Sequence, residues 1–164
     1  MKIRMADTVD YDAIVSLIDN EFTKEGFGFV NRAQVLTEIN KNRVLVAEID
    51  GVICGVRIGI NTLWNLVVSK KERGAGIGKA LIDHIRPQTI RVKSDPIGHL
   101  SNEQKKNFVD PTGFYEKLGF KFWGRTFPKN FWQKGTNGKG QFHARGELAH
   151  IKIYKDLNSV MNLD

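Results

Sequence analysis

Leu66-Val67-Val68-Ser69-Lys70-Lys71-Glu72-Arg73-Gly74-Ala75-Gly76-Ile77-Gly78-Lys79-Ala80-Leu81 is the stretch on which the fold turns. It reads as a strand, a basic glycine-rich turn and a helix. Leu66, Val67 and Val68 end an apolar, β-branched run. Gly74, Gly76 and Gly78 then fall on alternate positions. From Ile77 the spacing becomes helical, with Ile77, Leu81 and Ile85 four apart and Ala80 beside them. A glycine-rich turn at a helix start leaves backbone N–H groups free and lets a ligand come close. The helix dipole adds positive potential there. Arg73 and Lys79 bracket the turn with cations. The chemistry suited to such a place is holding a phosphate or pyrophosphate.

Three phosphate-binding patterns compete for this turn. A P-loop needs Ser or Thr after the Gly-Lys pair to hold magnesium, and here Ala80 follows Lys79. A dinucleotide fold needs G-x-G-x-x-G after the first strand of its domain. The spacing here is G-x-G-x-G, and at least two strand patterns precede it. Asp95 lies at about the distance of a ribose-binding acid, but it follows a strand rich in Arg and Lys. The third pattern is R-x-x-G-x-G, met by Arg73, Gly76 and Gly78, after a strand of form L-x-V, met by Leu66 and Val68. It resembles the acyl-CoA loop of the GNAT-type N-acetyltransferases. A turn that used glycine only for its φ > 0 would not require cation placement and helix register to agree as well.

A chain of 164 residues suits one domain spanning 1–164, with a real core. Its 41% hydrophobic and 26% charged residues are those of a soluble globular protein. No apolar run approaches the roughly 20 residues of a membrane helix, and Met1-Lys2-Ile3-Arg4 opens on a strand pattern rather than a signal-peptide core. Cys54 is the only cysteine, so no internal disulfide forms, and a reducing, cytoplasmic location is the simplest expectation. The four histidines, His84, His99, His143 and His150, are scattered without metal-ligand spacing, so no metal is expected. The net charge of +7 is unevenly spread. Residues 1–85 hold 11 Lys+Arg against 11 Asp+Glu, while residues 86–164 hold 14 against 7. Between Lys117 and Lys155 nine cations face one acid, Glu147. That asymmetry suits either an anionic partner or the phosphates of the chain's own ligand.

In chain order, Lys2–Met5 predicts a first strand. Asp7 and Thr8 can cap a helix to about Phe22, with Ile14, Leu17, Ile18 and Phe22 on one face. Asn31 can cap a second helix, Arg32–Lys41, with Val35, Leu36 and Ile39 inward. Strands are predicted over Arg43–Asp50 and Val52–Ile60, joined by the hairpin signal Asp50-Gly51. Asn61-Thr62 reads as a second turn or a bulge, and Leu63–Val68 as the strand that enters the glycine loop. A helix ending before Pro87 and a strand over Thr89–Lys93 follow. Residues 94–111 are irregular and polar. A short helix ends at Gly119, Phe120–Phe127 is strand-like, Pro128–Gly146 reads as a long basic loop, and Glu147–Tyr154 as the last strand.

Phe114-Tyr115-Glu116-Lys117-Leu118-Gly119-Phe120 closely resembles the F-Y-x-x-x-G-F signature near the end of GNAT domains. Two motifs in this order, about 40 residues apart, together with a similar order of elements, extend the resemblance from roughly Met1 to Asp156. It implies an α+β, three-layer fold: a mixed, mainly antiparallel sheet of about seven strands flanked by helices, its central strands splayed. It also implies acetyl-CoA (acyl-CoA) as donor. The backbone of Leu66, Val67 and Val68 would pair with the pantetheine arm. Arg73, Gly74, Ala75, Gly76, Ile77, Gly78 and Lys79 would hold the pyrophosphate. The reaction would be direct attack by an amine in a ternary complex.

Moving an acyl group from a thioester to an amine needs a route for the amine's proton, a donor to the oxyanion and an acid for the departing thiolate. The resemblance places the oxyanion donor at a strand N–H near Val68 and the acid at Tyr115. A tyrosine of ordinary pKa is protonated at pH 7; the alternative for Tyr115 is a packing role. The family's acid on the strand before the loop is missing from Leu63-Trp64-Asn65-Leu66. Asn65 can order a water there but cannot be a base. Ser94, Asp95 and Asp110 are base candidates by elimination. Where many members carry an Asn seven residues before the signature Tyr, this chain has Phe108.

The acceptor is open to three readings. The first is a small-molecule or protein amine, with Trp64 on the acceptor side or in the core. The second is a nucleic acid, either a nucleobase or an aminoacyl-tRNA. It is suggested by Lys121, Arg125, Lys129, Lys134, Lys139 and Arg145, which interleave with Phe122, Trp123, Phe127, Phe131, Trp132 and Phe142. The third is a CoA-binding module without catalysis. No membrane partner is expected, and the oligomeric state is monomer or homodimer.

Overall fold

The structure, a computed structural model, describes residues 1–23, 32–93, 112–124 and 141–145. Its strands are β1 Lys2–Met5, β2 Val44–Ile49, β3 Val52–Ile58, β4 Thr62–Leu63, β5 Asn65–Val68, β6 Thr89–Lys93, β7 Lys121–Gly124 and β8 Gln141–Arg145. Its α-helices are α1 Tyr11–Ile18, α2 Arg32–Asn40, α3 Ile77–His84 and α4 Thr112–Lys117. The strands form two four-stranded sheets, ordered β1-β2-β3-β5 and β4-β6-β8-β7. Every pairing is antiparallel except that of β4 with β6.

Alternation explains the layers of the first sheet. Val44, Val46, Val56, Ile58 and Val67 face α1 and α2, where they meet Ile14, Leu17, Ile18, Val35 and Ile39. Leu45 and Ala47 face the other way and, joined by Cys54 at the bulge beside Ala47/Glu48, meet Ile77 and Leu81 of α3. A strand covered on both faces is apolar throughout, which is why Val44–Ala47 is buried without a break. Helix α3 also reaches the second sheet. Its Ile82 joins Leu63, Ile90, Tyr115 and Phe120 in a separate cluster. The helix therefore lies across the junction of the two sheets, with Gly55 beneath it. A Cβ at Gly55 would stand 2.8 Å from Ile77 Cγ2, so the close helix–sheet contact requires glycine.

The hairpin at Asp50-Gly51 has both residues at positive φ, +49° and +81°, as a type I′ turn demands. The expected helix after Asp7 is a 3-10 turn, Thr8–Asp10, running into α1 and closed by an Asp7/Asp10 capping box. It ends in a π-helical turn, Asp19–Thr23.

Several expectations are corrected. Thr62 is in β4, and the chain bends just before it, from Gly59, whose φ is +97°, to Asn61. The expected strand Leu63–Val68 is broken at Trp64, because its two ends pair with different sheets. Leu36 is exposed, and Glu38 takes a buried place on α2 beside Arg43 and Lys41. Gln141–Arg145 is a strand within what reads as loop, because it finds partners in both β6 and β7. The expected strand Glu147–Tyr154 lies outside the described residues.

Candidate acyl-transfer site

The break at Trp64 builds the site. Ile58 pairs with Asn65, yet its carbonyl also accepts the Trp64 N–H at 2.9 Å. Two residues against one is a β-bulge, which bends the strand and changes its pairing. Before the bulge the chain belongs to the β6 sheet, and after it to the β3 sheet. The sheets fork there, and β5 ends the order β1-β2-β3-β5 with an open edge among the described residues.

The groups on that edge follow from the register. Ser69 N–H donates to Cys54 O at 2.8 Å, so Val68 and Gly55 form a non-hydrogen-bonded pair. Antiparallel pairs alternate, so Val67 exchanges bonds with Val56, while Leu66 and Val68 turn their N–H and C=O away from β3. Arg73 corroborates this direction: its Nε donates to Val68 O at 3.1 Å. An extended ligand lying on this edge finds two donors and two acceptors in strand register.

The loop that follows makes a second set of donors. A 3-10 turn, Lys70–Glu72, leads to Gly74 at φ +87° and Gly76 at φ +81°. Gly76 is the residue before α3 and occupies the left-handed region, with no side chain capping the helix. The first N–H groups of α3 thus point outward with no partner within the helix. Gly78 has a packing reason instead: a Cβ there would stand 3.2 Å from Phe114 Cζ and 3.7 Å from Leu66 Cδ2. Phe114 thereby covers the angle between α3 and β5.

The two cations of the loop differ. Lys79 pairs with Asp83 one turn along α3. Arg73 folds back over β5, binding Val68 O through Nε and reaching Glu21 Oε2 at 3.3 Å through Nη2. Glu21 belongs to the π-helical turn that packs against β5.

Tyr115 lies on α4 in the cluster beneath the fork, 5% exposed and edge-on to Phe114 with ring centroids 5.1 Å apart. Burial pushes its hydroxyl pKa well above the ordinary tyrosine value, and the nearby Arg57 charge opposes this only in part. Arg57 itself is fully buried. Its guanidinium donates to Gly59 O at 3.0 Å, Ile60 O at 2.7 Å and Leu81 O at 2.9 Å, and to Ile85 O. It therefore ties the turn before β4 to the carbonyl end of α3, where a cation is favoured.

The structure brings together Asn65, Leu66, Val67, Val68 and the segment Arg73–Lys79, with Tyr115 across the fork. Asn65 is half-buried beside the bulge, and Trp64 packs its ring over Gly59. Ser94, Asp95, Asp110, Arg125, Lys129, Trp132, Lys134 and Lys139 lie outside the described residues. Among the described residues no cluster of His, Cys, Asp and Glu could hold a metal ion, and no helix is long and apolar enough to cross a membrane.

The profile of the acetyltransferase (GNAT) domain matches residues 40–122, which run from the end of α2 to β7 and include the bulge, the loop and α4. The chain belongs to the GNAT acetyltransferase family. As a family member it is an acyltransferase that uses acyl-CoA as donor. A 5-NmdU N-acetyltransferase from Pseudomonas phage PaMx11 is 31% identical over 104 residues, spanning 58% of this chain and 72% of the phage protein. The crystal structure of aminoglycoside 6'-acetyltransferase type Ii is 25% identical, with a TM-score of 0.59 over 92% of this chain and 100% of that one. An aminoglycoside 6'-N-acetyltransferase complexed with coenzyme A is 23% identical, with a TM-score of 0.61 over 88% of this chain and 95% of that one.

Three residues of this candidate site carry no local signal in the sequence. Glu21 meets Arg73 from 52 positions away. Arg57 sits among alternating apolar residues where a cation reads as solvent-facing. Phe114 announces itself only as part of the F-Y signature, not as the lid on Gly78.

Proposed function

We propose that this chain transfers an acetyl group from acetyl-CoA directly to an amine carried by a nucleobase-type acceptor, with both reactants held on the protein together. The match to the phage 5-NmdU N-acetyltransferase carries the choice of acceptor. The basic and aromatic residues Arg125, Lys129, Trp132, Lys134 and Lys139 support it, since cations beside stacking rings suit a base and its phosphate.

The chain's own groups divide the work. Leu66, through its outward N–H and C=O, and Val68, through its outward C=O, pair with the pantetheine amides. The amides of Gly74–Lys79, at the positive end of α3, take the pyrophosphate. The outward N–H of Val68 donates to the oxygen that gains charge as the amine attacks. The new C–N bond forms as the C–S bond breaks. The amine gives up its proton through water ordered by Asn65 or to Asp95, and Tyr115 donates to the departing thiolate. Burial keeps the Tyr115 hydroxyl neutral, so that it can donate a hydrogen bond to the thiolate as the C–S bond breaks. Most of the acceleration comes from holding amine and thioester in register.

The test is incubation with acetyl-CoA and 5-NmdU, free and within an oligonucleotide, reading thiol release and mass. An added acetyl group on the nucleobase amine is the expected result. Thiol release with simple amines alone would replace the nucleobase by a small-molecule acceptor.

A further inference from the structure

We propose that Glu21 governs access of acyl-CoA to the site by competing for Arg73. The inference rests on the acyl-CoA reading of β5 and the loop, and adds to it a residue from another element. Arg73 is held at two points: Nε on Val68 O at 3.1 Å and Nη2 on Glu21 Oε2 at 3.3 Å. The Val68 carbonyl is one of the outward groups that an extended pantetheine needs as an acceptor. The Arg73 guanidinium is the cation that R-x-x-G-x-G assigns to the pyrophosphate. One side chain thus occupies a group required by one part of the donor molecule while being itself required by another part. Glu21 fixes it in that position.

The placement of Glu21 follows from the end of α1. The helix widens into a π-turn over Asp19–Thr23, and such turns are frequent at functional sites. The turn packs against β5, and the Glu21 side chain is 16% exposed against 47% for Arg73. The carboxylate is the better-anchored partner, and Arg73 is the one free to swing. Binding of acyl-CoA exchanges the partners. Arg73 leaves Val68 O and Glu21 for the pyrophosphate, the Val68 carbonyl accepts from pantetheine, and the Glu21 carboxylate is released beside β5. No covalent bond changes.

Calorimetric titration with acetyl-CoA tests this on the whole protein. Glu21→Gln keeps the shape and weakens the hold on Arg73, so acetyl-CoA should bind about two- to fivefold tighter, the range of a partly exposed ion pair. Removing a negative charge would by itself favour an anionic ligand, and the second arm separates the two causes. In an Arg73→Ala background Glu21→Gln should leave the dissociation constant unchanged, since the two residues act as one unit. Equal affinity of wild type and Glu21→Gln would overturn the proposal. So would tightening that persists without Arg73, which is charge repulsion alone. Glu21→Asp, which retracts the carboxylate but keeps the charge, should tighten binding as well, and serves if the glutamine variant does not fold. Failure of the wild type itself to bind acetyl-CoA would instead remove the reading of the loop.

Discussion

Tyr115 shows how one residue's surroundings choose its chemistry. It is buried in the Leu63, Ile82, Ile90 and Phe120 cluster, and no hydrogen bond to its hydroxyl is seen among the described residues. Burial disfavours the phenolate, so the folded state holds the proton more tightly than the unfolded chain does. Tyr115→Phe should therefore lower kcat by about a hundredfold or more and leave acetyl-CoA affinity within error; an unchanged kcat removes the acid role. The sign of the linked stability is fixed. The contribution is complete below the unfolded value of about 10 and is lost as pH rises from there through the raised folded value. The phenylalanine variant should lack that alkaline loss in thermal melts. Arg57 works in the same cluster by a different rule. Its buried guanidinium donates to the carbonyls of Gly59, Ile60, Leu81 and Ile85, and its removal takes that donor from all four. Arg57→Met should cost about 3 kcal/mol or more in chemical denaturation. A loss within error of zero would show that water replaces it.

At the scale of elements, the first sheet is pinned at its edge by Arg4. That residue binds Asp10 at 2.7 Å and Glu48 at 3.0 Å, joining β1 to the capping turn and to β2. Arg4 holds the Asp10 carboxyl below its ordinary range. A depressed carboxyl stabilises above its unfolded pKa, and that stability disappears as pH falls below about 4. Asp10→Asn should lower stability by roughly 1–2 kcal/mol at pH 7 and flatten the acid limb of a melting-temperature profile; an unaltered limb would assign the acid loss to other groups. Most elements of this sheet are legible in the sequence, because apolar periodicity, the Asp-Gly turn and the glycine loop are local signals. The break at Trp64 is not. Leu63–Val68 is one continuous strand pattern, and only the competition of β3 and β6 for its two ends divides it. Gln141–Arg145 is missed for the same reason, since its strand character depends on partners far away in sequence. The candidate cofactor edge is legible as a stretch, yet which of its carbonyls face outward follows only from the Ser69–Cys54 bond.

Over the whole molecule, the excess of cations belongs to residues 86–164, while the edge and loop proposed for the acyl donor run from Asn65 to Lys79. The proposed donor and acceptor sites thus draw on different halves of the chain, and charge should act on one more than the other. Lys129, Lys134 and Lys139 changed together to Gln should weaken binding of a single-stranded oligonucleotide and reduce its log–log salt slope by about 2. The same change should leave acetyl-CoA affinity intact. An unaltered slope would count against this region as the acceptor surface.

The central claim is that an acyl-CoA lies along the open edge of β5 and ends at α3. Backbone amide shifts during an acetyl-CoA titration of isotope-labelled protein test it directly. The outward N–H groups of Leu66 and Val68 and the amides of Gly74 to Lys79 should shift together with saturation, while Val67, bonded to Val56, moves less. Saturable binding whose shifts leave Leu66, Val68 and the loop unmoved, or no binding at all, would contradict the account.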